Sequence, residues 1–214
     1  MVNINEYDIF IFDCDGVILE SNKLKSNAFA EALPNESPDL VAKFVEYHKE
    51  NGGISRYEKF RYYFENMKKQ VKAEAEINKA LNNFATIVTE GLLKCNYVSG
   101  VKKFIEKLFN LNKRLFVVSG SDENELIQVF KKRGIDHYFE KIYGSPENKI
   151  ENTKKVIYNQ NKMKKVLFIG DSKSDYNASK IFGLDFVFVK EFSEWDNGGK
   201  IINTQYTIKN FEEF

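Results

Sequence analysis

The sequence predicts an α/β fold: a doubly wound parallel sheet of Rossmann-like type, with a helical cap domain inserted after the first strand. Three observations predict it. Short, near-continuous apolar runs end in turn or polar residues, as strands buried on both faces do. Amphipathic helical patterns alternate with those runs, which implies a βαβ succession. The alternation is interrupted once, over residues 19–94, where only helical patterns occur.

The first run, Tyr7–Phe12 (YDIFIF), leads directly into Asp13. Four helical stretches follow, Asn22–Leu33, Pro38–Glu50, Ser55–Lys69 and Ala73–Leu93, punctuated by Ser37-Pro38 and Asn51-Gly52-Gly53. Then come a helix at Val101–Asn110, with apolar residues at i, i+3, i+4 and i+7, and a strand at Arg114–Val118 running into Ser119. Asp122–Arg133 repeats the helical spacing and stops at Gly134. Phe139–Tyr143 is a strand before Gly144-Ser145-Pro146, and Ile150–Asn159 the next helix. Val166–Ile169, a helix at Asp175–Phe182 and a strand at Phe186–Val189 complete the alternation, with a late strand at Gln205–Ile208. The expected division is a core of residues 1–18 and 95–214 and a cap of residues 19–94, lying over the carboxyl edge of the sheet where ligands bind in open α/β folds.

The chain of 214 residues is long enough for this core and one appendage. Its 32 Lys and Arg against 31 Asp and Glu argue against a nucleic-acid surface. The lysines are scattered; Lys131–Arg133 and Lys162–Lys165 read as solvated helix ends or loops. No stretch approaches the roughly 18 apolar residues of a membrane span. Two cysteines, Cys14 and Cys95, make neither a disulfide framework nor a zinc motif. The expectation is a cytoplasmic monomer with no membrane or nucleic-acid partner.

The chemistry concentrates at strand ends. Asp13-Cys14-Asp15-Gly16 closes the first strand, and residues two apart on an extended strand face the same side, so the carboxylates of Asp13 and Asp15 can converge. Such a pair is relieved by a cation, for which Mg2+ with its oxygen ligands is suited. Ser119-Gly120 ends a second strand, Lys149 follows a third, and Gly170-Asp171-Ser172 with Asp175 follows a fourth. The hydroxyl and nearby N–H groups can hold phosphate oxygens, the lysine can neutralise charge, and the acids can hold a metal.

These segments resemble the haloacid dehalogenase superfamily, specifically its phosphatases with a helical cap. Asp13–Ile18 (DCDGVI) is similar to that family's first motif, Leu115–Gly120 (LFVVSG) to the second, Lys149 to the third and Phe168–Asp175 (FIGDSKSD) to the fourth. The order and spacing match from about residue 7 to 190. The resemblance implies a Mg2+-dependent phosphomonoester hydrolase acting on a small phosphorylated metabolite. Asp13 would be the nucleophile and Asp15 the proton donor and acceptor. The metal would be held by the Asp13 carboxylate, the Asp15 carbonyl and Asp171. Ser119, Gly120 and Lys149 would hold the phosphate, and Asp175 would orient Lys149 or a metal-bound water. An acid at position 15 fits an alkoxide leaving group, which needs a proton, rather than a halide.

Arg56, after the Gly52-Gly53 turn, is either a pairing group for a second anion on the substrate or a helix-start arginine in solvent. Tyr57, Phe60, Tyr63 and Phe64 have the spacing of a cap core, and Cys14 that of a small buried filler. His48 and His137 lie in polar stretches that no motif places. The tail from Glu191 to Phe214 carries no assigned chemistry. The competing functions are a sugar phosphomutase of the β-phosphoglucomutase type, which shares the four motifs, and a receiver-like phospho-accepting module, whose order of acids and lysine differs from that found here.

Overall fold

Ile9–Phe12 (β1) is four apolar residues with no side chain accessible to solvent, so it belongs at the centre of a sheet. The computed structural model places it there; the structure describes residues 2–158, 164–195 and 206–214. The other strands are Arg114–Asp122 (β2), Lys141–Ser145 (β3), Val166–Gly170 (β4), Asp185–Val189 (β5) and Tyr206–Ile208 (β6). All pair in parallel, in the order β3-β2-β1-β4-β5-β6. Order reverses on either side of β1, which makes its carboxyl end the switch point where ligands bind in this class of sheet.

Between β1 and β2 the chain forms α1 (Asn22–Glu31), α2 (Pro38–Glu50), α3 (Arg56–Tyr62) and α4 (Glu74–Lys94). The long helix expected from residue 55 is divided: α3 passes into a π-helical turn at Tyr63–Met67, whose Lys68 N–H bonds back to the Tyr63 carbonyl. Ser55 caps α3 by accepting from the Glu58 N–H. This helical insert has its own aromatic centre, with Phe29 contacting Phe44 at 5.5 Å, Phe60 at 5.3 Å and Phe84 at 4.3 Å between centroids. Phe60, Tyr63 and Phe64 are buried as the spacing predicts, whereas Tyr57 is exposed and donates its hydroxyl to Asp122.

The remaining helices, α5 (Val101–Asn110), α6 (Glu123–Lys132), α7 (Lys149–Tyr158) and α8 (Lys173–Ile181), flank the sheet. Alternation along β1 separates two cores. Phe10 and Phe12 meet Phe104 on one face, while Ile9 and Ile11 join Phe116, Phe168 and Phe186 on the other. Phe211 and Phe214 at the chain end pack on Phe104, at 5.3 and 4.3 Å.

The structure departs from expectation at three points for local reasons. A 3-10 turn at Asp136–Tyr138 delays β3 to Lys141. β2 continues past Val118 to Asp122, with a shift of register against β3. Arg133 is half-buried: its guanidinium donates to the carbonyls of Leu92 and Cys95 and lies over the Tyr97 ring. Asn159, Lys162 and Gln205, which entered the expected helix end, basic run and strand, lie outside the described residues.

Phe12 makes edge contacts with Phe104 and Phe139, both at 6.2 Å, in a fully buried position. Phe12→Ala is expected to destabilise the fold by about 3–5 kcal/mol, the cost of a large aromatic cavity. Urea unfolding with an unchanged m-value checks it; a loss below about 1 kcal/mol would mean that this layer is loosely packed.

Candidate active site

Phe12 is in register with Val117 of β2 and Ile169 of β4, so Asp13, Ser119 and Asp171 all emerge within two residues of one rung. The Asp13 N–H continues the ladder by donating to the Ile169 carbonyl at 2.9 Å. Beyond it the chain turns back, with the N–H groups of Ile18 and Leu19 donating to the Cys14 carbonyl. Gly16 sits in this turn at φ +74°; a Cβ there would lie 2.3 Å from Asp171 Oδ2 and 2.4 Å from Asn22 Nδ2. Only glycine permits both the backbone and the close approach.

Asp13 is 2% exposed. Its Oδ1 accepts the Cys14 N–H at 2.7 Å, and its Oδ2 lies 2.8 Å from Lys149 Nζ. Lys149, the first residue of α7, also reaches Asp175 Oδ1 at 2.5 Å. The other Asp175 oxygen accepts from the Ser172 N–H at 3.1 Å and hydroxyl at 2.5 Å, joining α8 to the same ammonium. Asp171 Oδ2 accepts from Asn22 Nδ2 at 2.6 Å.

Carboxylate oxygens of Asp13, Asp171 and Asp175 lie within 4.8 Å of one another. Burial, then the charge on Asp175, pushes the Asp13 carboxyl up to about 7 against the pull of Lys149. Burial followed by Asp13 and Asp175 likewise raises Asp171 well above the carboxylate range. Burial works against the Lys149 ammonium, but Asp13 and Asp175 outweigh it and hold the proton there. Three buried acids against one lysine are an excess of negative charge that a divalent cation fits. Both oxygens of Asp13 and of Asp175 already have partners, whereas Asp171 accepts through Oδ2 alone.

Asp15 faces a different set of groups. It accepts from Ser21 Oγ at 2.5 Å, Lys25 Nζ at 2.6 Å and Ser121 Oγ at 2.8 Å. Burial tends to raise its pKa; Lys25 and the two hydroxyls outweigh burial and lower it. The two acids of the first strand end thus have environments that push their protons in opposite directions. Cys14, between them, is buried and its thiol is pushed up by burial, as a filler requires.

Ser119 is buried, and its Oγ accepts the Ser121 N–H at 3.3 Å; Gly120 and Ser121 form the cavity wall at this strand end. The cavity holds about 680 Å3 of open space, its mouth included, which suits a small molecule. The helical insert closes one side. Gly53 comes so near that a Cβ at Gly120 would lie 2.2 Å from the Gly53 carbonyl oxygen. Arg56 is brought into this wall and is buried rather than solvated. Its guanidinium meets Glu125 at 3.0 Å and Asp122 at 3.7 Å, both from the α6 end of the core.

Several site residues carried no sequence signal. Lys25 and Asn22 come from α1, His48 from α2, Lys59 from α3, and Glu194 and Trp195 from the tail that was assigned no chemistry. His48, expected in a polar stretch, is 8% exposed against the Phe29 ring at 4.3 Å. His137 is exposed and lies outside the cavity. Spacing alone offered one usable hint: Lys25, Phe29 and Ala32 share a helix face, so an apolar stripe carries a lysine.

The raised Asp13 carboxyl has a consequence for stability. A carboxyl whose folded pKa exceeds its unfolded value near 3.9 stabilises the fold below that value and loses the contribution as pH rises through about 7. A cation competing with the proton restores it. The Mg2+-induced rise in Tm over chelator is therefore expected to grow from about pH 5 to about pH 7 and then level off. An increment independent of pH would remove the ion from these carboxylates.

The sequence matches the family model described as haloacid dehalogenase-like hydrolase over residues 10–189, a span containing all four strand-end groups. No curated protein sequence gives a significant match. Among solved structures, CbbY from Rhodobacter sphaeroides in complex with phosphate superposes with a TM-score of 0.77 at 14% identity, covering 97% of this chain and 96% of that one. A predicted phosphoglycolate phosphatase from Haemophilus somnus 129PT gives 0.74 at 18%, with 99% and 97% covered. The HAD-hydrolase YfnB from Bacillus subtilis bound to magnesium gives 0.70 at 20%, with 97% and 96% covered. At such identities the likeness is one of fold. The family model, by contrast, spans the strand ends on which Asp13, Lys149 and Asp171 converge, and the chain belongs to the haloacid dehalogenase-like hydrolase family.

Proposed function

We propose that the protein is a Mg2+-dependent phosphomonoester hydrolase that acts on a small phosphorylated metabolite through an aspartyl-phosphate on Asp13. The observation that carries this reading is the opposed pair at the first strand end. Asp13 is fixed by the Cys14 N–H and Lys149, while Asp15, two residues on, is held by hydroxyls and an ammonium that an incoming phosphate can take over. The magnesium and phosphate complexes of structural relatives agree with it.

In the first step an Asp13 oxygen attacks phosphorus, and the bond from phosphorus to the ester oxygen breaks. The departing oxygen takes a proton from Asp15. That residue is an anion beside Lys25; the substrate's phosphate brings negative charge next to it and draws on the same ammonium, so its pKa rises on binding and it takes up from solvent the proton it then donates. In the second step Asp15 accepts a proton from water as the water attacks phosphorus, and Asp13 is released with inorganic phosphate. Lys149 balances charge on the nucleophile, and Asp175 holds Lys149 in place. The Ser119 hydroxyl and Gly120 N–H supply donors for the phosphate oxygens. Mg2+, held by the Asp13 and Asp171 carboxylates and the Asp15 carbonyl, would offset the charge of the phosphate beside these acids. The helical insert serves as a cap: the Gly52-Gly53 turn lies over the site and limits it to small substrates.

A panel of phosphomonoesters assayed with Mg2+ and with chelator tests the reading; metal-independent release, or none from any ester, would overturn it. Asp13→Asn is expected to abolish turnover with the fold intact by circular dichroism. Asp15→Asn is expected to slow an alkyl phosphate by about 10²–10⁴-fold. A p-nitrophenyl ester, whose leaving group needs no proton, should suffer much less in that first step. Equal losses on both esters in the single-turnover rate of phosphoryl transfer to Asp13 would show that Asp15 does not act as the acid.

A further inference from the structure

The buried cationic groups at the site are matched to acids with one exception. Lys25 has Asp15 at 2.6 Å, Arg56 has Glu125 at 3.0 Å, and Lys149 has Asp13 at 2.8 Å. Lys59 of α3 is 1% exposed and, among the described residues, has no carboxylate within ion-pair distance. Its Nζ bonds to His48 Nδ1 at 2.7 Å and to the His48 carbonyl at 3.4 Å, over the Phe29 ring. A lysine buried this deeply without a counter-charge is costly to keep unless a ligand supplies one.

His48 supplies an independent observation. With a protonated Lys59 donating to Nδ1, the imidazole proton sits on Nε2, and that atom is buried with no hydrogen-bond partner. The nearest acid, Glu194, stands at 3.9 Å and is engaged by the Ser26 hydroxyl at 2.7 Å. Two adjacent groups therefore present unused donors to the same cavity that holds Asp13. Arg56, the residue whose type and position suggested anion recognition, is already spent on Glu125 and Asp122.

We propose that Lys59 and His48 receive a second anionic group on the substrate, so that the ester cleaved at Asp13 carries a carboxylate or a further phosphate remote from the scissile bond. This rests on the phosphoester reading above. Donors on both groups suit an acceptor with several lone pairs, and the Phe29 and Phe84 rings lining the cavity exclude water around the contact. Burial, then the positive charge of Lys25, lowers the Lys59 pKa to about 7, with Lys149 acting in the same sense and Asp15 and Glu194 opposing. An anion binding there would raise it.

The test is isothermal titration of the full chain with Mg2+, using unreactive phosphonates. The ligands are 3-phosphonopropanoate, its neutral amide and propane-1,3-bisphosphonate. At least one ligand with a second anionic group is expected to bind about tenfold or more tightly than the amide, and the better one identifies carboxylate or phosphate. Lys59→Met, close in volume, should bring that ratio to about one. In the wild type the preference should narrow as pH rises above about 7, where free Lys59 loses its proton. Equal affinities for acid and amide in the wild type, binding of none of the three, or a ratio preserved in Lys59→Met would each overturn the proposal. Hydrolysis of p-nitrophenyl phosphate by the wild type is measured alongside. Its presence with no anion preference removes only the second-anion site, and its absence removes the hydrolase reading as well.

Discussion

The active centre depends on how one buried ammonium holds several buried carboxylates together. Lys149 stands between Asp13 and Asp175, and Asp175 in turn fixes the first turn of α8 through Ser172. One side chain thereby ties the end of β1 to the starts of α7 and α8. The charges are too deep for water to screen, so the arrangement is held by mutual compensation. Crowding around it is met with glycine: a Cβ at Gly170 would lie 2.3 Å from Asp175 Cβ, and one at Gly53 would lie 2.9 Å from Lys149 Nζ. The strand ends approach this closely because the residues between them have no side chains.

The insert reaches the centre by polar contacts at its rim. Arg56 meets Glu125, Tyr57 meets Asp122, Asn22 meets Asp171, and Ser26 meets Glu194. The exposed Tyr57–Asp122 bond is one that water can replace, whereas the Arg56–Glu125 pair is buried on both sides and is costly to break. Shielding the chemistry and admitting a substrate make opposite demands on this seam. A replaceable bond beside a buried pair is compatible with both.

The strand-end groups were legible because their signal is local. An apolar run that stops at an acid, a hydroxyl or a glycine marks both a buried strand and the atom at its mouth, as at Phe12-Asp13 and Val118-Ser119. The parallel order followed from the alternation of elements. Lys25, His48 and Lys59 had no such signal, since a lysine on an amphipathic helix reads as solvated until the docking partner of that face is known. The same holds for Arg133, whose carbonyl partners lie about forty residues earlier in the chain. Glu194 and Trp195 belong to a tail with no periodic pattern, and only the path of the chain after β5 carries them to the cavity. Helix faces and tails take their meaning from tertiary contacts; strand ends largely do not.

The central position of β1 also bears on how the protein comes into being. Ile9 pairs with Arg114 on one side and Val166 on the other, 105 and 157 residues further along. A ribosome making 5–20 residues per second needs roughly 8–30 s to supply the second neighbour. Until the first neighbour, β2, is made, four consecutive apolar residues of high strand propensity have no native edge to join, while the whole helical insert is being synthesised behind them. The Asp13-bearing strand is thus the first part of the sheet to be synthesised and cannot be completed until β4 arrives, so its apolar edge stays open to wrong pairing during synthesis.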